Sequence, residues 1–448
     1  MNGKTKNYLF VCVLLAVLAS LLLIGYPQSK KGDNPNQKAT PMDWKTEMKM
    51  KRVNTFVLPA MRATGIDMWV VLSREESRDP IAADLGAGTV VARTACIFVD
   101  TEDSLQKIAI AASYDITPIK DSSIYDEVIS YKNEGLSPHL QEWVTKFNPK
   151  KIGVNISRDT PIADGLTVSM LEYLKEAVGS QLSERIVSAE DIVFSLRGRK
   201  LPEEIEIFKD AVVLTEEILE AALTPQVIVP GSTTESDVAE FIRAEMREHG
   251  VEPSWEADNC PSVVAGVARG HSGPTDIVIQ QGSLVRIDFG IKMKGYCTDL
   301  QRTAYVLKKG EQEPPAEIKK MWETVVRANE TAVSLMKAGV PGNEVDTAAR
   351  QIITQAGYEE YPHATGHPIG FSVHGVGPML GPDWPHRYGK LVFKRLEEGQ
   401  VFAVEPAASI FSPELKGEVG VGFEEDVVVL KDKAEYLGKH QTELILIK

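Results

Sequence analysis

Apolar residues follow two spacings along this chain, one typical of helices and one typical of buried strands. From about Asp43 a helical stretch, WKTEMKMKRVNTFVLPAMRATG, precedes three short apolar runs, MWVVLS, ACIFVD and KIAIAA. Helical and strand-like stretches then alternate as far as RIVSAEDIVFSLR. This alternation predicts an α/β domain, to which we assign residues 43–194.

A second region begins at KLPEEIEIFKDAVVLTEEILEAAL. Pro202 lies near its start, and the acidic residues after it suit the positive end of a helix dipole. Apolar residues then recur on one helical face: Ile205, Phe208, Val212 and Leu219. We assign residues 195–448 to this second domain.

The second domain contains a short internal repeat. VPGSTTESDVAEFIRAEMREHG ends at Gly250, and VPGNEVDTAARQIITQAG ends at Gly357. Both pass from a Pro-Gly turn into a helix, and both lead into β-rich sequence. The repeat predicts one α+β domain whose two halves are related by pseudo-twofold symmetry.

The N-terminal stretch differs from the rest of the chain. Lys4 and Lys6 precede YLFVCVLLAVLASLLLIGY, residues 8–26, which contains no charge. The run is just long enough to span a bilayer and slightly long for a signal-peptide core. We interpret residues 1–26 as either a signal peptide or a membrane anchor, and residues 27–42 as a polar linker. Both alternatives predict an exported, periplasmic or extracytoplasmic protein.

Composition excludes some functions. The chain has 448 residues, 43% of them hydrophobic, which is ample for a core, and a net charge of −14. This charge argues against a nucleic-acid partner, because phosphate binding requires clustered Lys and Arg. The four cysteines imply no disulfide framework.

The stretch VRIDFGIKMKGYCTDLQRT, residues 285–303, is typical of a β-hairpin. A turn centred between Met293 and Lys294 would pair Asp288 directly with Asp299. Like charges in that position are destabilising. Three explanations are open: the carboxylates share a proton, they flank a basic side chain, or they hold a metal ion.

Further candidate ligands follow in the second half. YPHATGHPIGFSVHG brings His363, His367 and His374 within twelve residues. Glu405 in VFAVEP and Glu424 in GFEEDVVVL lie in apolar, strand-like runs, where an unpaired carboxylate is costly. Four acids and an imidazole are a donor set suited to two divalent cations, which can polarise a carbonyl and activate water.

These motifs resemble the superfamily of aminopeptidase P, prolidase, methionine aminopeptidase and creatinase, which shares the pita-bread fold. DFG followed by TDLQRT matches its two metal aspartates, HATGHPIGFSVHG its three-histidine segment, and VEP and FEEDVVV its two metal glutamates. The resemblance covers about residues 48–448. It implies that residues 43–194 are a creatinase-like accessory domain, which methionine aminopeptidases lack.

The resemblance also implies roles for individual residues. Asp299 and Glu424 would bridge two metals, with Glu425 as the runner-up for the second position. The full implied ligand set is Asp288, Asp299, His367, Glu405 and Glu424.

Three histidines match catalytic or pocket positions of the superfamily. His271 in VARGHSGP matches the histidine near the scissile amide, His374 the one that stabilises the tetrahedral intermediate, and His363 one that lines the pocket. Creatinase has the fold without metals, but all five ligand positions are filled here, which favours the metal enzymes.

The implied function is an Xaa-Pro aminopeptidase, which hydrolyses the bond between an N-terminal residue and proline. The alternatives are an Xaa-Pro dipeptidase (prolidase) and a non-catalytic binding protein of the same fold. Oxygen-rich ligation favours manganese, with zinc, cobalt and iron as alternatives. The expected partners are a peptide with proline second, a membrane if the leader is kept, and by resemblance a second copy in a homodimer.

The chain departs from the superfamily pattern around the implied site. Gly422 stands where relatives often have Arg, two residues before the last metal glutamate, and Gly375 stands where an acid often follows the third histidine. Residues 375–395 form a longer interval than usual. In it, Arg387 or His386 either binds a substrate carboxylate or belongs to a solvated loop.

Overall fold

A six-stranded sheet lies at the centre of the N-terminal domain. It is seen in a computed structural model that describes residues 42–270 and 272–448. The interpretations of residues 1–26 and of His271, and most of the linker assignment, fall outside these residues. Within the described ranges, no helix has both the length and the apolar character needed to cross a bilayer.

The strand order of this sheet is β4-β3-β2-β1-β5-β6. Strand β2 is antiparallel to β1 and β3, and the other pairs are parallel. The six strands are β1 Met68–Ser73, β2 Thr94–Asp100, β3 Leu105–Ala112, β4 Glu127–Tyr131, β5 Ile152–Val154 and β6 Ile186–Ser188. Successive side chains of the strands point to opposite faces of the sheet. Val71 and Phe98 therefore pack in one core, and Val70 and Ile97 pack in the other.

Helices cover both faces of this sheet. A π-helical turn, Val53–Val57, splits the predicted first helix. A separate 3-10 turn lies at Pro161–Ala163. The helices are α1 Trp44–Arg52, α2 Leu58–Thr64, α3 Ile116–Asp121, α4 Ser137–Phe147, α5 Val168–Val178, α6 Ser180–Ser183 and α7 Glu190–Gly198. The predicted domain boundary between residues 194 and 195 falls within α7, whose Ile192 packs into the N-terminal core; the boundary stays a prediction.

Two pairs of helices belong to the C-terminal domain: α8 Pro202–Ala222, α9 Glu235–His249, α10 Ala316–Leu335 and α11 Gly342–Gln355. Helix α8 begins with proline, and Glu204 accepts a hydrogen bond from the Leu201 amide at 2.7 Å. Thr234 and Asp237 form a reciprocal capping box at the start of α9, which satisfies two amide donors.

Short strands make up the rest of this domain, with a 3-10 turn at Leu391–Phe393. They are β7 Glu252–Pro253, β8 Ser262–Ala265, β9 Leu284–Phe289, β10 Ile291–Met293, β11 Tyr296–Cys297, β12 Leu300–Val306, β13 Gly366–Ile369, β14 Val401–Val404, β15 Ala407–Ser412, β16 Gly417–Gly422, β17 Glu425–Val429, β18 Ala434–Tyr436 and β19 Ile445–Ile447.

Each half of the domain contributes a four-stranded sheet. The first has the order β19-β12-β9-β8 and the second β13-β14-β17-β18; strands β11-β10-β7 and the hairpin β15-β16 complete the fold. Helices α8 and α9 share a core with β9, and α10 and α11 share one with β14 and β17. An isolated bridge between Gln301 and Glu424 joins the two halves. The predicted two-halved α+β arrangement is confirmed.

The predicted hairpin register is wrong by one residue at the turn. Asp288 lies opposite Gln301, and Met293 lies opposite Tyr296. The two turn residues are therefore Lys294 and Gly295, with φ of 51° and 97°, as a type I′ turn requires. Glycine adopts positive φ without strain, so the chain turns there and not at Met293. Asp288 and Asp299 consequently lie diagonally and not directly opposite each other.

Gly295→Ala should lower the free energy of unfolding by about 1–2 kcal/mol, the cost of an L side chain at positive φ. No atom lies within 4 Å of the position its Cβ would occupy, so backbone strain alone is tested. Urea unfolding measures the change. Lys294→Asn is the matched control and should leave the midpoint unchanged or higher, because Asn tolerates this conformation. Unchanged stability of Gly295→Ala would contradict the turn.

Candidate metal centre

Acidic side chains meet where the strand ends of the two C-terminal half-domains adjoin. Asp288 lies on β9, and Asp299 immediately precedes β12. Glu405 immediately follows β14, and Glu424 immediately precedes β17. The bridge between Gln301 and Glu424 brings these strand ends together. The fold thus assembles ligands that are far apart in sequence.

His367, on β13, stands among these acids. Its Nε2 lies 3.5 Å from Oδ2 of Asp299 and 3.8 Å from Oε1 of Glu405. One donor atom from each of Asp299, His367 and Glu424 falls within 4.8 Å of the others, and all three residues are buried. These separations suit a shared ion, given metal–donor bonds of about 2.0–2.6 Å.

Burial and crowding make the carboxylates resist ionisation. Burial, followed by Asp288, Asp426 and Glu405, raises the pKa of Asp299 well above its ordinary value. Burial likewise raises the pKa of Glu424, with the charges of Asp299 and Glu405 adding to it. Burial and then Asp288 raise the pKa of Glu405 to about 8, although its side chain is 22% exposed. A divalent cation would remove this repulsion, so the donor set fits a metal centre.

Comparison with known proteins identifies the family of this site. Residues 206–431, which contain all five implied ligands, match the profile of metallopeptidase family M24. The chain belongs to this family. It is therefore a metallopeptidase, as its resemblance in sequence implied.

Relatives of this M24 metallopeptidase are named for proline-containing substrates. The Xaa-Pro dipeptidase of Pyrococcus furiosus is 31% identical over 287 residues, which are 62% of this chain and 73% of that protein. A solved Xaa-Pro dipeptidase from Bacillus anthracis superposes with a TM-score of 0.61 at 26% identity, covering 90% of this chain and 99% of that one.

An X-Pro aminopeptidase from Thermotoga maritima has the same fold. It superposes with a TM-score of 0.60 at 25% identity, covering 87% of this chain and 99% of that one. Both solved structures extend over the N-terminal domain as well. The predicted pita-bread fold with an accessory domain is confirmed.

The side chains of two adjacent glutamates, Glu424 and Glu425, have different surroundings because successive side chains of a β-strand point in opposite directions. Glu424 faces the donor cluster, whereas Glu425 is buried against Arg302, at 2.9 Å between Oε2 and Nη2. Arg302 also donates from Nη1 to the Glu424 carbonyl at 2.8 Å. Arg302 thereby holds the strand that presents Glu424. The ligand roles themselves stay predictions.

Asp426 is a residue of the site that sequence reasoning missed. Its Oδ2 accepts a hydrogen bond from the Asp299 amide at 3.1 Å, and its buried Oδ1 has no hydrogen-bond partner among the described residues. Burial raises its pKa well above the ordinary value. Its position two residues after Glu424 in a strand, hence on the same face, was a signal that could have found it.

Two of the three predicted histidines lie beside the donor cluster. Nδ1 of His363 is 3.8 Å from Oε2 of Glu405. The exposed His374 ring contacts the His367 ring edge-on, with centroids 4.7 Å apart. Both imidazoles thus lie beside candidate metal ligands, whereas His271 lies outside the described residues.

The segment 375–395 packs against the histidine segment. Arg387 donates to the Pro362 carbonyl and lies over the rings of Trp384 and Tyr388. The Tyr388 hydroxyl in turn accepts the Ala364 amide at 2.8 Å. These contacts give Arg387 a structural role. Binding of a substrate carboxylate by Arg387 or by the exposed His386 stays a prediction.

Chelation should lower the melting temperature more at about pH 8.5 than at about pH 5.5. In the metal-free protein, the raised pKa of Glu405, about 8 against an ordinary 4.5, means that the folded state binds more protons. The extra stability that this proton binding gives the metal-free protein is present in full below about pH 4.5 and is lost as the pH rises through about 8. Differential scanning fluorimetry in EDTA and in manganese measures it.

The matched variant for this experiment is Glu405→Gln, which should flatten the pH dependence of the chelated protein. A chelated wild-type protein that melts at the same temperature at both pH values would contradict the charge crowding.

Asp426→Val should lower the free energy of unfolding by about 1–3 kcal/mol, because the buried Asp299 amide loses its acceptor. Asp426→Asn keeps an acceptor oxygen and should remain close to wild type. Urea unfolding of both variants, with manganese content measured alongside, tests this. Equal losses in the two variants would show that the hydrogen bond to Asp299 is not the cause.

Proposed function

We propose that this M24 metallopeptidase is an Xaa-Pro dipeptidase that uses two divalent metal ions. The observation that carries the proposal is the buried cluster of Asp299, His367 and Glu424, with the half-buried Glu405 and Asp288 beside it, within a family of metallopeptidases. Relatives named as Xaa-Pro dipeptidases support the dipeptide substrate. The aminopeptidase expected from the sequence stays the second candidate, supported by the Thermotoga maritima structure.

The five clustered residues would hold the ions, and their oxygen-rich donor set favours manganese. Bound divalent ions would polarise the scissile carbonyl and lower the pKa of water. His363 and His374 stand at the edge of the cluster. From there they can hydrogen-bond the peptide and stabilise the negative charge that develops on its carbonyl oxygen.

Export is a separate part of the proposal and is supported only by the uncharged residues 8–26. Cell fractionation, with N-terminal sequencing of the mature protein, would distinguish a cleaved leader from a retained anchor. Recovery of the full-length chain in the cytoplasmic fraction would overturn it.

The manganese-loaded enzyme should hydrolyse Ala-Pro at least about tenfold faster than Ala-Pro-Ala, and should not hydrolyse Ala-Ala. The reason is that a dipeptidase site recognises the free carboxylate of a C-terminal proline. Steady-state amino-acid release from each peptide measures this. Faster turnover of the tripeptide would instead establish the aminopeptidase.

The dependence on the metal ligands is tested in the same assay. Asp299→Ala should reduce turnover more than about 100-fold, since even partners of metal ligands contribute 10–100-fold. Asp432→Ala, at an exposed acid, should keep full activity. A metal-replete wild-type protein that hydrolyses none of the peptides would favour the non-catalytic binding protein.

A further inference from the structure

A cation, Arg286, extends along the sheet face that carries the carboxylate cluster. It lies two residues before Asp288 on β9, so both side chains leave the same face of the strand. Across the sheet, Arg286 is opposite Thr303 and Asp288 is opposite Gln301. Gln301 donates from Nε2 to Oδ2 of Asp288 at 3.4 Å. The arginine and the amide thus border the cluster together.

Gly422 leaves the space that this arginine uses. A Cβ at position 422 would lie 2.9 Å from Cδ of Arg286 and 2.7 Å from Cδ of Gln301, both too close for carbon atoms. The Arg286 side chain therefore passes beside position 422, two residues before Glu424.

The charge of Arg286 acts on the metal ligands and not on a separate ion-pair partner. Burial lowers the pKa of Arg286, and Asp288, Glu405 and Glu424 oppose this by favouring the charged guanidinium. The guanidinium in turn opposes the rise in the pKa of Glu405. Over residues 42–270 and 272–448, Arg286 makes no hydrogen bond or ion pair with another side chain. The neighbouring Arg269 is neutralised by Glu235.

The buried arginines of the described residues behave differently from the half-buried Arg286. Arg52, Arg302 and Arg350 each bind a carboxylate directly, at 2.7–2.9 Å. A guanidinium remains charged in proteins, and withdrawing a charge from water without compensation is costly. For Arg286, the compensating charges are the carboxylates of the candidate metal centre.

We propose that Arg286 is a positioning residue of this centre. Its fixed charge holds Asp288, Glu405 and Glu424 together in the room that Gly422 leaves. The inference rests on the proposed metal centre. Because the arginine and the metal ions neutralise the same carboxylates, Arg286 contributes most to stability when no ion is bound.

The test compares wild type, Arg286→Met, Arg286→Lys and Arg197→Met, each after EDTA treatment and after manganese loading. Arg286→Met removes the charge and keeps most of the side-chain volume, and Arg286→Lys keeps the charge. Arg197 is the matched control because it pairs with Asp84. Melting temperature and bound manganese are measured for every sample.

We expect Arg286→Met to lower the melting temperature of the metal-free protein by about 2–4 °C, and by less than half as much after manganese loading. Arg286→Lys should recover most of the loss. Arg197→Met should lower the melting temperature equally in both states, as a residue with no link to the metal would.

An equal loss with and without manganese for Arg286→Met would overturn the inference, because a purely structural arginine behaves that way. Should Arg286→Met fail to fold, Arg286→Gln replaces it with the same expected difference between states. A wild-type protein that binds no manganese would instead overturn the proposed metal centre, so the two failures are distinguishable.

Discussion

Electrostatic repulsion among buried carboxylates is the constraint around which the C-terminal domain is arranged. Burial raises the pKa of Asp299, Glu405 and Glu424, and neighbouring carboxylates, with Asp288 among them in each case, raise it further. A protein that needed only stability would replace such a cluster with apolar residues. Its presence in a well-packed domain is explained by a function in which cations balance the charge.

The rest of the domain opposes this repulsion by fixing the backbone on both sides. Apolar cores behind the two sheets anchor the strands whose ends carry the acids. Arg302 ties the Glu424 carbonyl to Glu425, and Asp426 accepts the Asp299 amide. Hydrogen bonds that hold metal ligands from outside are a regular part of metal sites. The ligands are therefore held close together before any ion arrives.

Membership of the M24 family supports the proposed ligand set, and the structure shows what surrounds that set. Gly422, Gln301 and Arg286 depend on one another, because the glycine leaves room for the other two side chains. The segment 375–395 is held against the histidine segment through Arg387 and Tyr388.

By itself, the sequence predicted many of the local elements and, through its resemblance to a known superfamily, a candidate ligand set. MWVVLS is β1 residue for residue, because a short apolar run bounded by polar residues has few other stable forms. The five implied ligands could be named because their motifs resemble those of a known superfamily, and Glu405 and Glu424 also stood out as acids in apolar, strand-like runs. The hairpin register could not be predicted reliably, since it depended on which residue adopts positive φ, and Gly295 does so more easily than Met293.

Only the tertiary structure decided which groups act on one another. It placed Glu424 in the donor cluster and Glu425 against Arg302. It also brought Asp426 to the candidate site through a hydrogen bond from Asp299, which is 127 positions away in the chain. It also brought the side chain of Arg286 against Gly422 on another strand. These pairings join residues distant in the chain, so they depend on how the two halves pack and not on any local pattern.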